Sequence, residues 1–223
     1  MGGIAMKYRI LTVSREYGSG GAEIARRIAG QLGWTLLDSR ILTEVARSAR
    51  VDIRTAGEND ERVDSWFHWL NKNAMRAAAV SAGLKLDDTE LFDAETMAAF
   101  TREAIEQAYT KGDCVIVGRG SQCILAGRTE AFHVFIYGSV EYRQRRVASR
   151  IKEGEDVEAY MRAMDEQREH YIARFYEKYW REPHLYDLMI SSDLGEDHAA
   201  STILYAMGTT VAVRPAEVPL KAR

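Results

Sequence analysis

The chain has 223 residues, 46% apolar and 28% charged, which suffices for a buried core and is too hydrophobic for a disordered protein. Thirty Lys and Arg against 33 Asp and Glu give a net charge of −3, without the basic excess of a duplex-binding domain, so no nucleic-acid partner is expected. Two cysteines, Cys114 and Cys123, exclude a disulfide framework and fit a reducing cytoplasm, and they form no zinc site without partners. No run reaches the ~18 apolar residues of a membrane span, and Met1 to Met6 lacks a signal peptide's regions, so a cytoplasmic protein without membrane contact is expected.

A β-rich segment, Tyr8 to Val13, predicts the first strand, which stops at the turn cluster Gly18-Ser19-Gly20-Gly21. Ile24, Ile28 and Leu32 are spaced for a helix, with Gly33 as its C-cap, and Trp34 to Leu37 predicts a second strand. The middle is helical: Ile41 to Ala49, then Asn59 to Ala82 with the Trp66-Phe67-His68-Trp69 cluster, then a helix from Asp93 as N-cap to Lys111. Cys114 to Val117 is a continuous apolar run suited to a central parallel strand. His133 to Tyr137 predicts another strand, Glu141 to Lys152 and Val157 to Trp180 two helices, Leu188 to Ile190 a last strand and Ala199 to Met207 a last helix. The tail from Thr209 is either an edge strand or loose. Strands alternating with helices give an α/β class, a parallel sheet with helices on both faces. Ligands bind such sheets beyond the carboxyl ends of the strands. That singles out Ser14–Gly21, Asp38–Arg40 and Gly118–Ser121.

The run Ser14-Arg15-Glu16-Tyr17-Gly18-Ser19-Gly20-Gly21 places a glycine turn between a strand and a helix N-terminus, either as a phosphate cradle of backbone N–H groups or as a tight turn alone. It departs from the Walker A pattern: Gly21 stands where Lys belongs and Ala22 where Ser or Thr belongs. Another cation must then serve, and Arg15, Arg26 and Arg27 are near in sequence. Arg119, in Gly118-Arg119-Gly120-Ser121, either grips a phosphate or pairs with a carboxylate. Arg143, Arg146 and Arg150 share one helix face, which by itself reads equally as a solvated basic face. Asp165 and Arg168, three apart, read as a weak surface pair or as lid residues that meet phosphate or sugar.

Together these segments resemble the cytidylate-kinase-like family: the Ser14–Gly21 loop followed by Glu23-Ile24-Ala25; Gly118-Arg119-Gly120; Val134 to Tyr137 with Glu141-Tyr142-Arg143 and Arg145-Arg146-Val147; Asp165, Arg168 and Tyr171; Tyr186-Asp187-Leu188; and Leu194-Gly195. The resemblance runs from about Tyr8 to Met207. It implies a three-layer P-loop kinase fold, the whole chain forming one domain with a helical nucleoside-monophosphate-binding insert at about 50–110 and a lid at about 147–182. It implies transfer of the ATP γ-phosphate to CMP or dCMP, with Mg²⁺. Arg15, Gly18, Ser19, Gly20, Gly21 and Ala22 would hold the ATP phosphates, and Asp38, Arg40, Arg119 and Ser121 the acceptor. Arg119, Arg150, Arg168 and Asp165 would serve the transfer, the arginines stabilising its charge. Two departures bear on function. Cytidylate kinases keep the loop Lys and read Gly-Arg-Asp at the strand end, whereas this chain has Gly21 and Gly120. The alternative to a kinase is a nucleotide- or phosphate-binding protein of the same fold with little or no activity.

Overall fold

The central strand β1, Ile10–Arg15, pairs in parallel with β3, Cys114–Val117, on one side and with β4, Ala131–Tyr137, on the other. The computed structural model describes residues 7–38, 88–151 and 154–209. Strands β2, Thr35–Leu37, and β5, Leu188–Ser191, complete a five-stranded parallel sheet of order β2-β3-β1-β4-β5. Strand order reverses across β1, so the crevice at its carboxyl end is the natural ligand site.

The sheet is covered on both faces because its strands alternate two apolar sets. Leu11, Val13, Val115, Val117, Val134 and Ile136 pack on helix α1, Gly21–Leu32, and on α6, Glu196–Ala206. On the opposite face Ile10, Cys114 and Ile116 meet Ala104, Ile105 and Ala108 of α2, Asp88–Lys111. The short helix α3, Ser121–Ile124, packs there too, while Phe135 meets Ile172 of α5, Val157–Tyr176, and Trp180 beyond it. Helix α4, Val140–Val147, follows β4 and is N-capped by Ser139, whose hydroxyl accepts from the Tyr142 amide at 3.2 Å.

Several boundaries differ from the sequence reading. Strand β1 continues through Ser14 and Arg15, which pair with Phe135 and Ile136, because the ladder to β4 supports polar residues that an apolar pattern does not. Helix α2 begins at Asp88 rather than at Asp93. Helix α4 stops at Val147 and tightens into a 3₁₀ turn, Ala148–Arg150. Helix α5 stops at Tyr176, where Glu177 turns left-handed at φ 54°, and Trp180 folds back against Phe135 with ring centroids 5.2 Å apart. Arg40, the expected helices at 41–49 and 59–82, the Trp66–Trp69 cluster, most of the expected insert and the tail from residue 210 lie outside the described residues.

Candidate functional site

Glu16 prolongs the β1 ladder by one bond, its amide donating to Ile136 O at 3.0 Å. The chain then turns through Gly18 at φ 82° and Gly20 at φ 78°, conformations inexpensive only for glycine. Gly20 is the N-cap of α1 and no side chain caps that helix. The first-turn amides, which include those of Gly21 and Ala22, therefore lack intrahelical acceptors, and the positive end of the helix dipole lies at the loop. These are the elements of an anion cradle. Ser19 is fully buried, and its hydroxyl donates to Glu16 O at 2.9 Å. That hydroxyl braces the turn, so Gly18–Ala22 offer an anion backbone groups only.

Arg15 stands beside the cradle. A Cβ added at Gly21 would lie 2.6 Å from Arg15 Cβ and 2.9 Å from its Cγ, and one at Gly118 would overlap Arg15 Nη1. The side chain thus runs from the first residue of α1 to the turn after β3. Burial first, and then Arg168 and Arg119, push the Arg15 guanidinium down to about 9, while Asp38 and Asp165 pull it up. Arg119 has φ 60° and follows the buried β3; burial holds its guanidinium at about 10 against the opposing influence of Tyr171 and Tyr176. Arg168 is lowered by burial, Asp165 opposing. Five of the expected residues, Arg15, Asp38, Arg119, Asp165 and Arg168, are therefore brought together, with cations outnumbering carboxylates. A group of partly buried, mutually repelling guanidiniums fits an anionic ligand.

Asp165 is no surface residue. It is 3% exposed and accepts three bonds: from the Tyr17 amide at 2.6 Å, from Arg143 at 2.6 Å and from Arg168 at 2.8 Å. Of the two sequence readings of Asp165 and Arg168, the weak surface pair does not hold: Arg143, from another helix, pairs with Asp165 and helps to bury it. Arg143 also lies 3.4 Å from Glu16, whose carboxylate meets Arg181 at 3.5 Å. Arg168 stacks over the Tyr17 ring, 5.3 Å from its centroid. This network clamps the loop entrance to α4 and α5. Glu16, Tyr17, Arg143 and Arg181 were not among the expected site residues; the shared face of Arg143, Arg146 and Arg150 was the available signal.

The rest of that arginine face turns toward the loop. Arg146 pairs with Glu196 at 2.6 Å and with Glu23 at 3.7 Å, and Arg150 with Glu23 at 3.3 Å. A Cβ at Gly20 would come within 3.1 Å of the Arg146 guanidinium and 3.2 Å of Glu196 Oε1. Arg150 is more than half exposed and, like Arg168, lies near enough to Tyr17 to act on its hydroxyl. Arg27 is tied to Glu196 and Asp197 of α6. Ser121 is fully buried at the start of α3, and its Oγ has no hydrogen-bond partner among the described residues. Tyr176 occupies the space beside Gly120: a Cβ there would overlap its ring, and its hydroxyl donates to Arg119 O at 3.3 Å.

The model of the cytidylate kinase-like family matches residues 10–194. A crystal structure of an uncharacterized protein from Eubacterium ventriosum superimposes with a TM-score of 0.63 at 22% identity, covering 90% of this chain and 98% of that one. A shikimate kinase from Bacteroides thetaiotaomicron superimposes with a TM-score of 0.53 at 13% identity, covering 90% of this chain and 98% of its own. At these identities the likeness is one of fold, that of P-loop kinases. A search of curated proteins gave no match.

Proposed function

The chain belongs to the cytidylate kinase-like family, and we propose that it is a nucleotide kinase that transfers the terminal phosphoryl group of ATP to a nucleoside monophosphate, CMP or dCMP first among them. The observation that carries this reading is the grouping of Arg15, Arg119 and Arg168 at the carboxyl end of the sheet, next to a glycine cradle on a helix N-terminus. Phosphoryl transfer asks of a protein mainly position and positive charge. The cradle, Gly18–Gly21, supplies the donor side through backbone amides and the α1 dipole. Arg119 and Asp38 form the acceptor side in this reading, and Arg168, held by Asp165, adds charge beside Arg15. Asp165 accepts from three donors already, so its part is to hold Arg168 and the loop rather than to take a proton.

The fit to the nucleotide rests on the backbone side, where Gly18 and Gly20 take the positive φ of the turn into α1 and let Val147 and Arg146 pack closely against the loop. The fit to a resident metal is poor: Ala22 offers no hydroxyl, and among the described residues no group of three or more His, Cys, Asp or Glu side chains could hold an ion. Mg²⁺ therefore enters as part of the substrate, MgATP. Among the described residues no helix is long and apolar enough to cross a membrane. Both cysteines are free thiols, Cys114 buried and Cys123 partly buried.

The second reading, a nucleotide-binding protein with little turnover, is favoured by one observation: the Arg146–Glu196 pair places a carboxylate oxygen beside Gly20. A panel of nucleoside monophosphates with MgATP, followed by ADP release, decides between them. Transfer to at least one acceptor supports the kinase; calorimetric ATP binding without ADP release from any acceptor supports the second reading and refutes the first.

A further inference from the structure

With Gly21 and Ala22 the loop carries no cation of its own, although charge building up on a transferring phosphoryl group needs one. The neighbouring guanidiniums are not equivalent. Arg168 is held by Asp165 at 2.8 Å, Arg146 by Glu196 at 2.6 Å, and Arg150 by Glu23 at 3.3 Å. Arg15 differs in its route and in its company. Its stem lies against Gly21, where the missing Lys would begin, with Cβ and Cγ at 2.6 and 2.9 Å from the position a Gly21 Cβ would take. Its Nη1 reaches Gly118, one residue before Arg119. Its foremost charged neighbours are two further cations, Arg168 and Arg119. The space that a lysine side chain at position 21 would need is therefore filled by the Arg15 stem, and the guanidinium ends where the donor loop meets the acceptor arginines.

We propose that Arg15 is the catalytic cation of this site, replacing the absent loop Lys and contacting the phosphates from the end of β1 rather than from the first turn of α1. The inference rests on the kinase reading above. In the transfer, the bond from the γ-phosphorus to the bridging β,γ-oxygen breaks and one forms to an oxygen of the acceptor phosphate. ADP and a nucleoside diphosphate result. Arg15 gives and takes no proton; it contributes charge to the oxygens of the moving group.

The test is a swap with MgATP and whichever monophosphate the panel identifies. Arg15→Ala is expected to lower kcat by about 10²–10³-fold, the loss typical of removing one preorganised charge-stabilising group. Gly21→Lys alone is expected to lose activity too, since its side chain collides with the Arg15 stem. The double variant, Arg15→Ala with Gly21→Lys, frees that space and is expected to regain at least about tenfold over Arg15→Ala, a difference of about 1.4 kcal/mol in barrier. Arg15→Lys, which keeps the charge and the strand, guards against misfolding and is expected to keep more activity than Arg15→Ala. A folded Arg15→Ala with wild-type kcat overturns the proposal, as does a folded double variant no more active than Arg15→Ala. If the wild type transfers to no acceptor, the kinase reading falls and Arg15 is judged by calorimetry. Arg15→Ala must then weaken ATP by about tenfold, one charge-assisted contact, and AMP much less; equal weakening of both overturns it.

Discussion

Replacing Asp165 by Ala is expected to uncouple the loop from α4 and α5. The substitution leaves three donors without their acceptor: the Tyr17 amide, Arg143 and Arg168, now at 2.6, 2.6 and 2.8 Å. Removing one partner of a buried ion pair typically costs about 3–5 kcal/mol, because the other charge stays buried. Here the side chains of Arg143 and Arg168 are 11% and 21% exposed, so water recovers part of that cost. The orphaned Tyr17 amide adds about 1–3 kcal/mol. A loss of about 3–5 kcal/mol therefore results, a large share of the roughly 5–15 kcal/mol by which a domain is stable. Asp165→Asn keeps the shape and one accepting oxygen, so about half that loss is expected, roughly 1.5–2.5 kcal/mol. Urea unfolding followed by circular dichroism measures both. A cost of at most about 1 kcal/mol for Asp165→Ala, the scale of an exposed pair, would refute the view that this carboxylate anchors the loop.

Three other perturbations follow from the same geometry. Arg119→Ala removes a charge-assisted contact of roughly 1.5–3 kcal/mol; acceptor affinity in calorimetry should fall at least about tenfold, and unchanged affinity for every nucleotide would rule out its acceptor role. Gly120→Ala meets both φ 70° and the Tyr176 ring, so it should cost more than the roughly 1–2 kcal/mol of left-handed strain, and adding Tyr176→Ala should recover part of the loss; full stability of the single variant would contradict the contact. His133 is buried, its Nδ1 2.7 Å from Thr12 Oγ1, and burial lowers it from its ordinary 6.5. The folded state thus binds a proton less readily than the unfolded chain, so the stability it contributes is complete above pH 6.5 and declines as pH falls below it. Comparing wild type with His133→Gln in unfolding between pH 8 and pH 5, on about that window, should show a steeper acid decline in the wild type, and parallel curves would refute the linkage.

The sheet was legible because its strands are short apolar runs: Cys114–Val117 was read to the residue, and β4 and β5 to within two. Ser14 and Arg15 were placed in the loop because local polarity says nothing of the β4 ladder that carries them. The glycines and the arginines at the strand ends were legible as types at a topological site. Their coupling was not. Asp165 and Arg143 are 22 residues apart on different helices, and spacing along one helix reports only the Asp165–Arg168 pair. Nor does spacing reveal that the Arg15 stem fills the place of a side chain at position 21, since that contact crosses from a strand to the next helix. The end of α5 was missed for a related reason: Trp180 leaves the helix to pack on Phe135, and tertiary burial outweighs a continuing apolar stripe.

The Tyr176 ring beside Gly120 also constrains how this site could change over successive mutations. Position 120 is adjacent to Arg119, so a new polar group there would be a direct way to alter what the proposed acceptor side selects. While Tyr176 stays, any such substitution meets its ring and is penalised before a new preference can be gained. A smaller residue at 176 removes that barrier, at the cost of the hydroxyl's bond to the Arg119 carbonyl. The two positions are therefore epistatic, and the accessible order is fixed: the far end of α5 must change first, and only then can the turn after β3 explore a new side chain.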